Sequence, residues 1–176
     1  MARDCYEHLY AVYRSVFDYF NAGENREVKL HFAANQDASV AAYASGDGIF
    51  LTAEYMLATG DLDVITHELI HRAQNHISVG DYVWLMEGLT DYGRDLLGLH
   101  NEKVGWSLPT YDPSQHYTDS YGTTAAFIKF VTDNYCADMP HIINNMFKGP
   151  DGYDDSIWKT NTGYTIDELW DLYSKK

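Results

Sequence analysis

Residues 66–71 read Thr-His-Glu-Leu-Ile-His, an H-E-x-x-H arrangement that places His67 and His71 four positions apart. On an α-helix such positions lie about 40° apart in azimuth and about 6 Å apart along the axis. Two imidazoles so placed can converge on one zinc ion, each nitrogen about 2.0–2.1 Å from it. Glu68 sits about 100° around from His67, near enough to reach a water at the ion without ligating it. Random placement of eight His and eight Glu in 176 positions gives on the order of 0.02 such matches per chain, so the segment alone is a moderate signal. Its neighbours strengthen it. Leu62, Ile65, Leu69 and Ala73 form an apolar stripe opposite His67, His71 and Gln74. The spacing predicts a helix with that stripe in a core and both histidines turned toward a cleft.

Thirteen residues beyond His71, the chain reads Trp84-Leu85-Met86-Glu87-Gly88-Leu89-Thr90-Asp91-Tyr92. Leu85, Leu89, Tyr92 and Leu96 share one face of a second predicted helix, with Glu87 and Asp91 together on the other. A catalytic zinc takes three protein ligands and keeps a fourth position for water, and two His with one Glu is a known set. Glu87 can be the third ligand. Asp91, one turn on, can accept the free ring N–H of a ligating histidine and so fix its tautomer. The competing reading is a solvated acidic face on which Arg94 pairs with Asp91.

The rest of the chain frames these helices. An opening helix is expected over residues 1–23, with Cys5, Leu9, Val12, Val16 and Phe20 beside Tyr6, Tyr10, Tyr13 and Phe17, stopping near Gly23. Three short strands follow at 28–32, 40–44 and 48–52, a small sheet over 28–52. Helical periodicity then covers 61–76 and 83–97, the zinc-binding pair within 61–98. Residues 99–118 read as loop, and a helical half recurs at about 120–135, 139–147 and 166–174, within 119–174. This is one α+β domain over 1–176.

Twelve Lys plus Arg against 26 Asp plus Glu give a net charge of −14. Such a chain repels phosphate backbones and anionic headgroups, which excludes nucleic acid and membrane surfaces as main partners. No run of about 18 apolar residues offers a membrane span. Cys5 and Cys136 make no disulfide framework and are expected to be small buried hydrophobes, able to pair only if their Cα atoms come within about 7 Å. His8, His31, His100 and His141 are expected to be solvent-facing or satisfied in the core, His76 to be packed or capping, and the acidic run 151–155 to be loop. The residues after Met1 lack the apolar region of a signal peptide, so the default expectation is a cytoplasmic chain.

At these motifs the sequence resembles the gluzincin metallopeptidases, and residues 84–88 resemble the W-L-x-E-G signature of zinc aminopeptidases. It is most similar to the basic secretory protein family of plants and bacteria, through Val40-Ala41-Ala42-Tyr43-Ala44-Ser45-Gly46, residues 67–74, 84–94 and 121–127, and the closing Leu169-Trp170. The resemblance covers roughly residues 28–173. It implies a zincin, thermolysin-like core: a mixed sheet whose edge strand borders the cleft, an active-site helix, then a helical half. The edge strand would be residues 48–52, with Gly48, Ile49 and Phe50 offering backbone groups to an extended peptide. Tyr121 aligns with the aminopeptidase tyrosine that donates to the oxyanion, with Tyr117 and His116 as rivals. The resemblance also suggests a secreted protein if a leader has been removed. The family is named for basic proteins, whereas this chain carries −14, so partners tied to basicity do not carry over.

These readings meet in zinc-dependent hydrolysis of peptide bonds in a peptide or protein substrate. One catalytic Zn²⁺ is held by His67, His71 and Glu87, Glu68 is the general base, Tyr121 stabilises the oxyanion and Asp91 supports a ligand. The absence of a recognisable free-amine anchor favours an endopeptidase. Two alternatives keep the metal site: a catalytically silent zinc-binding interaction module, which has no need for Glu68, and a zinc hydrolase acting on a non-peptide substrate.

Overall fold

The computed structural model describes residues 1–23, 27–34, 40–76 and 79–176. In chain order its elements are α1 (Ala2–Tyr19), β1 (Lys29–Ala33), β2 (Ala42–Ser45), β3 (Gly48–Thr52), α2 (Ala53–Thr59), α3 (Asp63–Gln74), α4 (Val83–Leu97), α5 (Tyr121–Asn134), α6 (Met139–Lys148), α7 (Ser156–Thr162) and α8 (Ile166–Tyr173). Among the described residues no helix is long and apolar enough to cross a membrane. The chain is mixed α+β, a small sheet with helices before and after it. It divides into two compact units: Met1–Asn75 with Gly93–Ser107, and His76–Tyr92 with Leu108–Lys176.

In the first unit, β3 lies between β1, which it pairs in parallel, and β2, which it pairs antiparallel. The sheet is mixed, as expected, but residues 48–52 are its central strand and not its edge. The backbone groups of Gly48, Ile49 and Phe50 are therefore turned toward strands on both sides, and these residues have no free edge to offer a peptide. Gly48 and Ile49 are buried, and the Phe50 ring is stacked between His31 (4.4 Å) and Tyr43 (4.8 Å). Among the described residues the antiparallel edge is β2. Positions 35–39 of the expected sheet region lie outside the described residues.

Helix α1 buries Cys5, His8, Leu9, Val12, Val16 and Phe17, a 3.6-period stripe, while Tyr6 and Tyr10 stay exposed. Both cysteines are free thiols, Cys5 buried and Cys136 half-buried. Against α1 packs α3, which also packs on β2 and β3. Sequence periodicity gives α3 one buried face, but the structure buries nearly all of it. Asp63, Thr66 and Gln74 are as inaccessible as Ile65 and Leu69, and Glu68 is buried too.

Burying a polar group costs free energy that hydrogen bonds offset. Asp63, fully buried, accepts from Thr66 Oγ1 (2.9 Å), from the backbone N–H of Leu99 (3.0 Å) and of His100 (2.5 Å), and faces His8 Nε2 at 3.1 Å. His8 Nε2 also lies 2.8 Å from Thr66 Oγ1. His8 is thus a core histidine held through Nε2, while its Nδ1 is buried without a hydrogen-bond partner among the described residues. Burial pushes the Asp63 carboxyl up, but the hydrogen bonds from His8, His100, Leu99 and Thr66 outweigh it and hold the group well below the usual carboxylate range. Nearby, Arg94 Nη2 donates to both oxygens of Asp61 (2.9 and 3.0 Å) and Arg94 Nε to Asn101 (2.9 Å), so this guanidinium is committed within its own unit.

In the second unit α5 packs on α6 and α8. Phe127, Trp158 and Leu169 are buried there, and Trp170 packs edge-on to Phe127. Helix α8 opens with a capping box, in which Thr165 Oγ1 accepts from Glu168 N–H and Glu168 Oε2 accepts from Thr165 N–H.

Asp63→Asn removes the charged acceptor while keeping its shape, and should lower unfolding free energy at pH 7 by about 3 kcal/mol. Because the folded-state carboxyl is depressed, its stabilisation is full above the unfolded value of about 3.9 and is lost as pH falls below it. Urea unfolding at pH 7 and pH 3 should therefore show the gap between wild type and variant narrowing with acid.

Candidate metal centre

Helix α3 runs without interruption from Asp63 and ends where Asn75 turns left-handed (φ 46°), so its histidines sit on regular helical turns. His67 is 8% exposed and His71 half-buried, and their rings meet edge to face with centroids 4.9 Å apart. His67 Nε2 and His71 Nε2 are 3.2 Å apart. Two nitrogens ligating one tetrahedral zinc at about 2.0–2.1 Å stand about 3.3 Å apart, so the pair already has the separation that a shared ion requires. Glu87, half-buried on α4, completes a group with these histidines in which one ligand atom from each residue lies within 4.8 Å of the others. The donor set is two imidazoles and one carboxylate, and it fits a divalent transition metal.

Glu68, the residue after the first histidine, is 6% exposed. Asp91 is equally buried, one turn beyond Glu87 on α4. The Arg94 side chain expected to neutralise Asp91 in the competing reading is the one bound to Asp61 and Asn101. His76, expected to be packed or capping, has its Nε2 at 3.1 Å from Asn144 Oδ1 and its ring 5.0 Å from that of Phe147.

The three rivals for the oxyanion role occupy different settings. Tyr117 donates its hydroxyl to Asp167 Oδ1 (2.7 Å), and burial together with that carboxylate pushes its pKa up. The His116 ring accepts from the Thr118 backbone N–H and, with Asp119, closes a capping box around the single helical turn Tyr117–Asp119. Tyr121 is the first residue of α5, 54% exposed, with φ of 44°.

One contact in this region went unread in the sequence. An interior glycine costs a helix about 1 kcal/mol relative to alanine, and Gly88, next to Glu87, is in α4 for a packing reason. A Cβ built on it would stand 2.2 Å from Thr124 Cγ2 and 2.4 Å from Thr124 Cβ. The first turn of α5 thus lies directly on the turn of α4 that carries Glu87.

His67, His71 and Glu87 form a group that could hold a metal ion. The chain belongs to the basic secretory protein family, peptidases of plants and bacteria, whose family model matches residues 5–173. At the level of that family the activity is proteolysis. No curated protein and no solved structure matches the chain.

Gly88→Ala should reverse the usual helix preference. Instead of gaining about 1 kcal/mol, the protein should lose about 1–3 kcal/mol to overpacking against Thr124, measured by urea unfolding.

Proposed function

We propose that the protein is a zinc-dependent peptidase of gluzincin type, with an endopeptidase's cleft. The reading is carried by the 3.2 Å separation of the two Nε2 atoms, joined by Glu87 in one ligand group. A zinc ion held by His67, His71 and Glu87 would supply an acidified water and a Lewis acid for the scissile carbonyl.

The chain's own residues do the rest. Glu68 accepts a proton from the attacking water as its oxygen bonds to the carbonyl carbon. It then delivers that proton to the leaving amine as the C–N bond breaks. Tyr121 donates a hydrogen bond to the oxyanion. Asp91 accepts a ring N–H from a ligating histidine and holds its tautomer. The edge of β2, whose strand packs against α3, receives the extended substrate by strand addition. The hydroxyl of Tyr117 is engaged with Asp167, which counts against Tyr117 as the donor. A buried Glu68 beside a metal ligand favours turnover over a silent binding module, which has no use for a base there.

Digestion of a peptide library followed by mass spectrometry tests this. The wild-type protein should cut internal bonds with a side-chain preference, and Glu68→Gln should lose activity by about 10³-fold or more with its circular dichroism unchanged. A Glu68→Gln protein that cleaves at the wild-type rate would remove the general-base assignment.

A further inference from the structure

The segment before α5 holds two consecutive non-glycine residues with positive φ: Ser120 at φ 71°, ψ 178° and Tyr121 at φ 44°. The first conformation is one that essentially only glycine adopts freely, and the second is uncommon for a bulky side chain. Each costs of order 1–3 kcal/mol and persists only where the surroundings over-determine it.

Here they do, from several directions. Thr124, fully buried, donates its hydroxyl to the Tyr117 carbonyl (2.6 Å), spanning the strained pair. Its methyl side fills the space left by Gly88. Behind the pair, the Tyr117–Asp119 turn is fixed by the His116–Asp119 capping box and by the Tyr117 bond to Asp167. Ahead of it, Gly122 admits the Pro109 ring, whose Cδ lies 3.0 Å from where a Cβ would be. The strain is thus concentrated at the residue whose side chain is exposed, while everything around that residue is tied down.

We propose that Ser120 and Thr124 are positioning residues. The strained Ser120–Tyr121 backbone, clamped by Thr124 onto the Gly88 turn of α4, presents the Tyr121 hydroxyl in a fixed attitude beside the turn that carries Glu87. This rests on the reading of Tyr121 as the oxyanion donor. It adds that stored backbone strain at Ser120 and Tyr121 helps pre-organise the donor. A hydroxyl held in place needs no reorganisation as charge develops, and that is where such a donor gains its effect.

Two variants separate this from a merely structural role. Ser120→Gly relaxes the strained φ, and Thr124→Val keeps the methyl seat against Gly88 but deletes the hydroxyl that reaches Tyr117. The melting temperature should rise by about 2–4 °C in Ser120→Gly, the strain relief exceeding the entropy that glycine adds to the unfolded chain. It should fall in Thr124→Val, which orphans the Tyr117 carbonyl. Hydrogen exchange of the amides of residues 118–124 should quicken in both, and kcat on the best library peptide should fall about 10-fold or more in both with KM little changed. Opposite stability and parallel kinetics is the signature. If Ser120→Gly fails to raise the melting temperature, or leaves exchange at 118–124 unchanged, the inference falls whether or not the protein cleaves peptides. If both shift and kcat stays at the wild-type value, the strain has no positioning role. A wild-type protein that cleaves nothing would instead remove the peptidase reading, with the melting and exchange results still deciding whether the strained segment is pre-organised.

Discussion

Asp63 has no exposed surface, yet it accepts three hydrogen bonds and faces the ring of a buried histidine, and α3 depends on it. A helix that carries His67, Glu68 and His71 brings polar groups into the interior wherever it packs. The chain meets part of that cost by closing two polar residues of the helix, Asp63 and Thr66, into a network with His8 of α1 and the backbone at Leu99 and His100. The same bonds tie the start of α3 to the residues just after α4. A rigid carrier follows, and only a rigid carrier keeps two imidazole nitrogens at the spacing of a shared ion.

Much of this was legible because it is local. The strand at 48–52 and the helix at 83–97 have the bounds that alternation and the 3.6 period assign to them. The sequence named His67, His71 and Glu87 together, and these three residues form a group that could hold a metal ion. What escaped was non-local or too short. Strand order is set by pairing between distant segments, so periodicity that finds β3 says nothing about its central place. Helices α2 and α7 span seven residues each, two turns that are too short for a period to emerge, although Gly60 and Gly163 both stop them left-handed. The burial of α3 escaped because hydrophobicity patterns treat Asp63, Thr66 and Gln74 as surface residues. Only their partners on other elements make them interior ones.

The site shows the same division. Residue types at helical spacing were readable. The left-handed backbone of Ser120 and Tyr121 was not, since neither residue advertises a positive φ. Gly88 was the one visible trace, an unfavourable helix residue beside Glu87. Local rules are broken here at the Gly88–Thr124 contact and at Tyr121, which is where functional sites are expected to depart from them. The net charge of −14 acts at longer range, favouring encounter with cationic rather than anionic substrates without altering the chemistry at the centre.

The measurement that bears most directly on the central claim is zinc per chain, by elemental mass spectrometry, on protein purified without added metal or chelator. The account predicts about one zinc in the wild-type protein and a small fraction of that in Glu87→Ala, since two ligands alone hold the ion weakly. A wild-type value near zero that dialysis against zinc does not restore would mean that the two histidines and Glu87 do not form a metal centre.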